Sequence, residues 1–156
     1  MALINLINNR VMNNIEVKFK KLVPEAKIPA YAKPGDAGLD LTATSKHWSD
    51  DFQCFVYGTG LAVEIPEGYV GLIFPRSSIR KYCLALTNCV GVIDSGYRGE
   101  IMCTFRPQSK GTTEAYKVGD KVCQLIIMPY PQVMPVEATE LSETERGEGG
   151  HGSTGA

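Results

Sequence analysis

Val90-Gly-Val-Ile-Asp-Ser-Gly-Tyr-Arg-Gly-Glu-Ile-Met-Cys-Thr-Phe105 holds two short apolar runs around a glycine-rich polar centre. Val90, Val92 and Ile93 lead in, Ile101, Cys103 and Phe105 alternate on the way out, and the centre carries one carboxylate, Asp94, and one phenol ring, Tyr97. Two such runs joined by a tight polar stretch predict a β-hairpin. Gly91, Gly96 and Gly99 remove side-chain bulk, so backbone amides and carbonyls beside Asp94 and Tyr97 can approach a flat polar ligand closely. Taken alone, these residues also suit a solvated turn whose aspartate bonds its own backbone.

The two-residue period recurs on both sides of this stretch. Ile15, Val17 and Phe19; Leu39, Leu41 and Ala43; Leu61, Val63 and Ile65; and Val70, Leu72 and Phe74 each alternate with other residues, the pattern of half-buried strands. Lys33-Pro-Gly35, Tyr57-Gly-Thr-Gly60, Pro66-Glu-Gly68 and Val118-Gly-Asp120 punctuate them as turns. An all-β, jelly-roll-like sandwich or barrel of short strands follows. One short helix is expected from Ser78 to Cys83, with Ser77 as its N-cap. From Glu137 the chain turns acidic and polar, then glycine-rich from Arg146, a composition that cannot bury enough apolar surface to order itself. The reading is therefore an N-terminal extension over residues 1–14, a β domain over 15–136, and a flexible arm or lid over 137–156.

At 156 residues the chain is the size of one domain with its own core. Sixteen Lys and Arg against seventeen Asp and Glu leave a formal charge of -1, and no long block of like charge occurs. Broad electrostatic adhesion to nucleic acid or to an anionic membrane is not expected. An anionic ligand would have to be held by a few placed groups. The five cysteines are odd in number and form no CxxC pair, which suggests buried free thiols in a reducing compartment. His47 and His151 stand in no zinc-like spacing with them. No apolar stretch has the length of a membrane span, and the N-terminus is a poor signal or transit peptide. A cytoplasmic location is expected, or the interior of a host cell for a virus-encoded chain.

Four further segments carry chemistry. Pro75-Arg-Ser-Ser78 ends an apolar strand and gathers a guanidinium, two hydroxyls and backbone amides, an anion site or a plain capped junction. In Gly119-Asp-Lys-Val-Cys-Gln124, leading into Leu125-Ile-Ile-Met128, a Gln124 that looks buried needs hydrogen-bond partners, structural or ligand. Asp40 should face opposite to Leu39 and Leu41. The tail Arg146-Gly-Glu-Gly-Gly-His-Gly-Ser-Thr-Gly155 offers successive amides, two hydroxyls and an arginine, parts of a phosphate cradle, without the lysine and following helix of a Walker loop.

In order along the chain, AGLDL (37–41), PRSS (75–78), GVIDSGYRGE (91–100), GDKVCQLII (119–127) and RGEGGHGSTG (146–155) resemble the five motifs of the trimeric dUTPases. The resemblance implies hydrolysis of dUTP to dUMP and pyrophosphate with Mg2+, limiting uracil incorporation into DNA and supplying dUMP for dTMP synthesis. It also implies a β-clip subunit in a homotrimer whose active sites are shared. By match to the motifs, Asp94 is the base that activates water, and Tyr97 packs under the deoxyribose and leaves no room for a 2′-hydroxyl. Asn88, with the backbone of Gly91, Val92 and Ile93, reads uracil. Arg76, Ser77, Ser78 and Gln124 match phosphate-contacting groups, and Asp40 acts on the waters of the metal. Arg146, His151, Gly152, Ser153 and Thr154 match the arm that closes over the γ-phosphate from another subunit.

Two positions depart from the motifs. His151 stands where the family's arm usually carries Phe, and imidazole stacks with less apolar area and protonates near pH ~6.5, which implies a weaker or pH-sensitive lid. Gly96 replaces a second acidic residue, which implies looser hydrogen bonding around the turn without loss of catalysis. The related dCTP deaminases carry a D-P-G-W hairpin and then a catalytic Glu; here those positions hold Tyr97 and Thr104. A noncatalytic jelly-roll assembly module is the reading from a different class, which fold alone does not exclude.

Overall fold

The computed structural model describes residues 14–109 and 115–150. Among the described residues, ten strands follow one another: β1 (Lys18–Lys21), β2 (Leu39–Thr42), β3 (Ser45–Ser49), β4 (Cys54–Gly58), β5 (Leu61–Glu64), β6 (Tyr69–Pro75), β7 (Leu84–Leu86), β8 (Gly91–Ile93), β9 (Met102–Pro107) and β10 (Lys121–Pro129). They form antiparallel sheets ordered β2-β10-β6-β8, β3-β4-β9-β7 and β1-β5. The architecture is all-β and jelly-roll-like. Three of the four expected turns fall between strands, while Tyr57 and Gly58 of the fourth end β4 and leave Thr59 and Gly60 as the turn. Gly68 (φ 81°) and Gly119 (φ 94°) occupy backbone conformations that a side chain would strain.

The core lies between the two four-stranded sheets. Leu39, Leu125, Ile73 and Gly91 are register partners in one row across β2-β10-β6-β8, and Tyr57, Cys103 and Phe105 face them from β4 and β9. An aromatic cluster closes one end: Tyr57, Phe105 and Tyr116 are almost wholly buried, with ring centroids 5.5–6.2 Å apart. Each such ring buries roughly 150–250 Å², about 4–6 kcal/mol of apolar transfer before the entropy of ordering is charged against it. The Tyr57 hydroxyl donates to the Tyr116 carbonyl at 3.0 Å, so its polar tip is satisfied inside the core.

Four expectations are corrected. The quoted stretch is not a hairpin: β8 pairs with β6, whereas β9 pairs with β4 and β7 in the other sheet. Residues 94–101 therefore cross between sheets, because both runs find longer apolar partners than each other. The helix is a 3-10 turn over Ser77–Lys81, with Arg76 at its N-cap position and no side-chain cap bond, so Ser77 does not cap it. In β6 the buried residues are Gly71 and Ile73; Val70, Leu72 and Phe74 point to the opposite face. A strand apolar on both faces gives no phase from its own sequence. Cys54, Cys103 and Cys123 are buried free thiols, but Cys83 and Cys89 are exposed, and each has positive φ where the chain bends at either end of β7.

Candidate active site

Asp40 and Gln124 are direct partners in the β2-β10 register, and Gln124 is also the partner of Phe74 in β6. Directly opposed residues of antiparallel strands share a face. That row therefore projects outward, away from the core, with Arg76 just beyond it. The Arg76 Nε donates to Asp40 Oδ1 at 2.7 Å and Lys121 Nζ donates to Asp40 Oδ2 at 2.7 Å. The Asp40 side chain is 11% exposed and Arg76 30%, so the pair is shielded well beyond an ordinary surface contact. The Gln124 Nε2 donates to the Pro75 carbonyl at 3.0 Å. Its Oε1 end rests against Gly38, at a distance that any Cβ on residue 38 would violate. Asp40, Arg76, Ser77, Gln124 and Gly38 line one open cavity of about 310 Å³.

Ser77 is exposed and Ser78 is half-buried. The Ser78 hydroxyl lies 3.2 Å from the Tyr116 hydroxyl. Burial pushes the Tyr116 phenol above its ordinary range, and the bond to Ser78 opposes this in part. The result is a cluster of two cations, two hydroxyls, a positioned amide and two carboxylates, since Asp36 lines the same cavity as Asp40. It can hold an anionic group that carries its own counter-ion.

Asp94 lies elsewhere. Ile93 is opposite Gly71, four residues along β6 from Pro75. With one further step to Asp94 and one to Arg76, the two backbones stand about 20 Å apart at roughly 3.3 Å per residue. Asp94 is exposed, and the Tyr97 amide donates to its carbonyl at 3.1 Å to close the turn. The Tyr97 ring folds back over Gly99, occupying the space a Cβ there would need, and its hydroxyl donates to the Glu100 carbonyl at 2.9 Å. Arg98 Nη1 donates to the carbonyls of Ser95 (2.6 Å) and Tyr97 (2.9 Å), the residues on either side of Gly96. Glu100 Oε1 accepts from the Gly60 amide at 2.7 Å and anchors the crossing. Asn88 is exposed just before β8, which is an edge strand: one side pairs with β6 and the other has no strand partner among the described residues. Val92 is exposed and Ile93 half-buried along this edge, whereas Gly91 is buried. An edge strand leaves backbone donors and acceptors without a ladder partner.

Arg146 is exposed, and its Nε donates to the Gly149 carbonyl at 2.8 Å beyond a turn in which the Gly147 amide bonds Thr144. His151, Gly152, Ser153 and Thr154 lie outside the described residues. The structure places Asp40, Arg76, Ser77 and Gln124 around one cavity, and within one chain Asp94 lies apart from them. Sequence reasoning passed over Lys121 and Tyr116. The signal for Lys121 was its place three residues before Gln124 on a strand beside Asp40; for Tyr116 the sequence carried none.

The chain matches the dUTPase family model over residues 24–155. It belongs to the dUTPase family. It is 40% identical over 140 residues to a deoxyuridine 5′-triphosphate nucleotidohydrolase of Nocardia farcinica, covering 89% of this chain and 85% of that protein. The protein of the same name from Thermobifida fusca is 36% identical over 146 residues, with 93% and 82% covered. Among solved structures, a mutant dUTPase of Staphylococcus bacteriophage 80alpha with dUpNHpp shares the fold at a TM-score of 0.74 and 24% identity, covering 92% of this chain and all of that one. A mutant dUTPase from phage phi11 of S. aureus, described with a structural Mg(II) ion, gives a TM-score of 0.64 at 25% identity over 81% of this chain and all of that one.

Proposed function

We propose that this chain hydrolyses dUTP to dUMP and pyrophosphate, with Asp94 as the base, at sites completed between copies of the chain. The observation that carries this reading is an exposed carboxylate on the turn that follows the free edge of β8, in a chain that belongs to the dUTPase family. Uracil presents an acceptor, a donor and an acceptor in a row, and the alternating amides and carbonyls of a strand edge complement such a row. Asn88 and the backbone of residues 91–93 supply this contact. The Tyr97 ring, moved from its resting place over Gly99, packs against the deoxyribose.

Water held by Asp94 attacks the α-phosphorus, the bond from that phosphorus to the bridging oxygen breaks, the water's proton passes to Asp94, and pyrophosphate leaves. The charge on the triphosphate is met by Arg76, Lys121, Ser77 and Ser78, with Arg146 added by the arm. The donors suit Mg2+ as an ion that arrives with the nucleotide. No group of three or more Asp, Glu, His or Cys side chains gathers to cage a metal among the described residues. Asp40 offers one carboxylate, each of whose oxygens accepts one bond here and keeps lone pairs for the ion's waters. When bound, the ion neutralises charge on the phosphate oxygens.

The separation of about 20 Å along β6 supports sharing between subunits, since the two groups stand at opposite ends of one strand. The outward face of the β2-β10-β6-β8 sheet supports a homotrimer as well: Ile126, Leu72 and Val92 form one row and Met128 with Val70 the next. Val92 is 62% exposed in the single chain. A sheet apolar on both faces needs a cover on both. The test is pyrophosphate release from dUTP, dTTP, dCTP and UTP in parallel. Release from dUTP alone is expected. Ammonia from dCTP, or no release from any nucleotide by a folded protein, would overturn the reading.

A further inference from the structure

The 3-10 helix that carries Ser77 and Ser78 is short and is held from its core side, where Ile79 packs against the hydrophobic core. It spans five residues, none of them buried, and no side chain caps its start. Segments of this kind are marginal by themselves and take their conformation from tertiary contacts. Tyr116 provides two such contacts from the core side. Its hydroxyl meets Ser78 Oγ at 3.2 Å near the start of the helix, and its ring packs on Tyr82, the residue at the C-cap, with centroids 4.4 Å apart. Tyr116 is itself 1% exposed and fixed by Tyr57 and Phe105, so it is a rigid support.

We infer that Tyr116 is a positioning residue for the phosphate site, clamping the 3-10 helix at both ends and holding the Ser78 hydroxyl in the orientation that donates to the triphosphate. This rests on the reading of Ser78 as a phosphate contact. Either hydroxyl can donate across this 3.2 Å contact. With the neutral phenol as donor, it occupies a lone pair of the serine and leaves the serine's own proton free for the triphosphate. Without that bond the serine hydroxyl rotates freely, and its proton is no longer presented in one direction.

Tyr116→Phe keeps the ring, its stacking on Tyr82 and the core volume, and deletes only the hydroxyl. Steady-state kinetics with dUTP, inhibition by dUMP, and thermal melts of Tyr116→Phe, Ser78→Ala and the double variant distinguish the outcomes. The expected result is a KM for dUTP raised about fivefold in Tyr116→Phe, the scale of one hydrogen bond, with kcat within about twofold. Inhibition by dUMP should be unaltered, because dUMP lacks the outer phosphates, and the double variant should be no worse than Ser78→Ala alone. If Ser78→Ala raises KM while Tyr116→Phe does not, or if the two effects multiply in the double variant, the clamp is wrong and the phosphate site stands. If Ser78→Ala itself leaves KM unchanged, the assignment of Ser78 falls and the inference falls with it. A Tyr116→Phe protein that melts lower yet binds dUTP normally would also refute the inference, showing a role in stability alone.

Discussion

The two ends of β6 are built on opposite plans. At the Pro75 end, Asp40, Arg76, Lys121 and Gln124 bond to one another or to backbone before any ligand arrives, and Tyr116 backs the helix beside them. At the Gly71 end, Asp94 is exposed, without a side-chain hydrogen bond or ion pair among the described residues, and its turn is held by Arg98, Tyr97 and Glu100 through backbone contacts. The contrast follows from charge. Gathering two cations needs a carboxylate between them to be stable without ligand, whereas a base that must accept a proton has to keep its lone pairs free. A chain that keeps the two about 20 Å apart avoids neutralising its own base with its own arginine.

Replacement at the open end should have the largest effect. Asp94→Asn removes the proton acceptor and nothing else, so kcat is expected to fall about 10²- to 10⁴-fold with dUTP affinity and melting temperature close to the parent. Single-turnover kinetics beside equilibrium binding would show this, and unchanged turnover would break the contrast at once. At the knitted end, the same change should act on the fold as well. Asp40→Asn leaves Arg76 and Lys121 without their carboxylate in a partly shielded place, and stability should drop by about 1–3 kcal/mol, between the values for exposed and buried pairs. Chemical denaturation would measure it, and a stability equal to that of Asp94→Asn would mean that the ion pairs around Asp40 hold nothing together.

A third test sharpens the contrast through pH. Burial raises the Tyr57 phenol, the Tyr116 phenol and the Cys123 thiol above their ordinary values. Each is an acid whose neutral form the folded state favours, so its contribution is fully present below the unfolded value and is lost as pH rises toward the folded one. Melting temperature should therefore decline above about pH 8.5–10, where free thiols and phenols begin to ionise. Tyr57→Phe should flatten that decline, while Asp94→Asn should leave it alone. The smallest effect is expected at the exposed pair of Lys18 and Glu64, 3.0 Å apart on β1 and β5. Its hydrogen bond lowers Glu64 and raises Lys18. A depressed carboxylate contributes above its unfolded value and loses that contribution as pH falls through the folded one. Glu64→Gln should therefore lower the melting temperature slightly at neutral pH, and the difference should vanish in acid or in high salt.

Strand period and turn glycines made the all-β class legible, since alternation and positive φ are local properties. The motif residues at the Pro75 end were legible for the same reason: Asp40 opposite to its apolar neighbours is a matter of one strand. What the chain pairs with is not local. Nothing in residues 90–105 distinguishes two strands of one hairpin from two strands of facing sheets, and Val70, Leu72 and Phe74 look as apolar as Gly71 and Ile73 look buried. Tyr116 escaped notice because its role depends on Ser78 and Tyr82, residues that reach it only through the packed core.

The central claim is that Asp94 of one copy and Arg76 of another serve the same nucleotide. Mixing two inactive variants, Asp94→Asn and Arg76→Ala, under conditions that exchange subunits tests it most directly. Sites shared between copies should recover about one quarter of the wild-type rate in an equal mixture, because each such site draws the two residues from chains assorted independently. A mixture that exchanges subunits yet stays as inactive as its parts would show that each chain carries its own complete site, and would contradict the account.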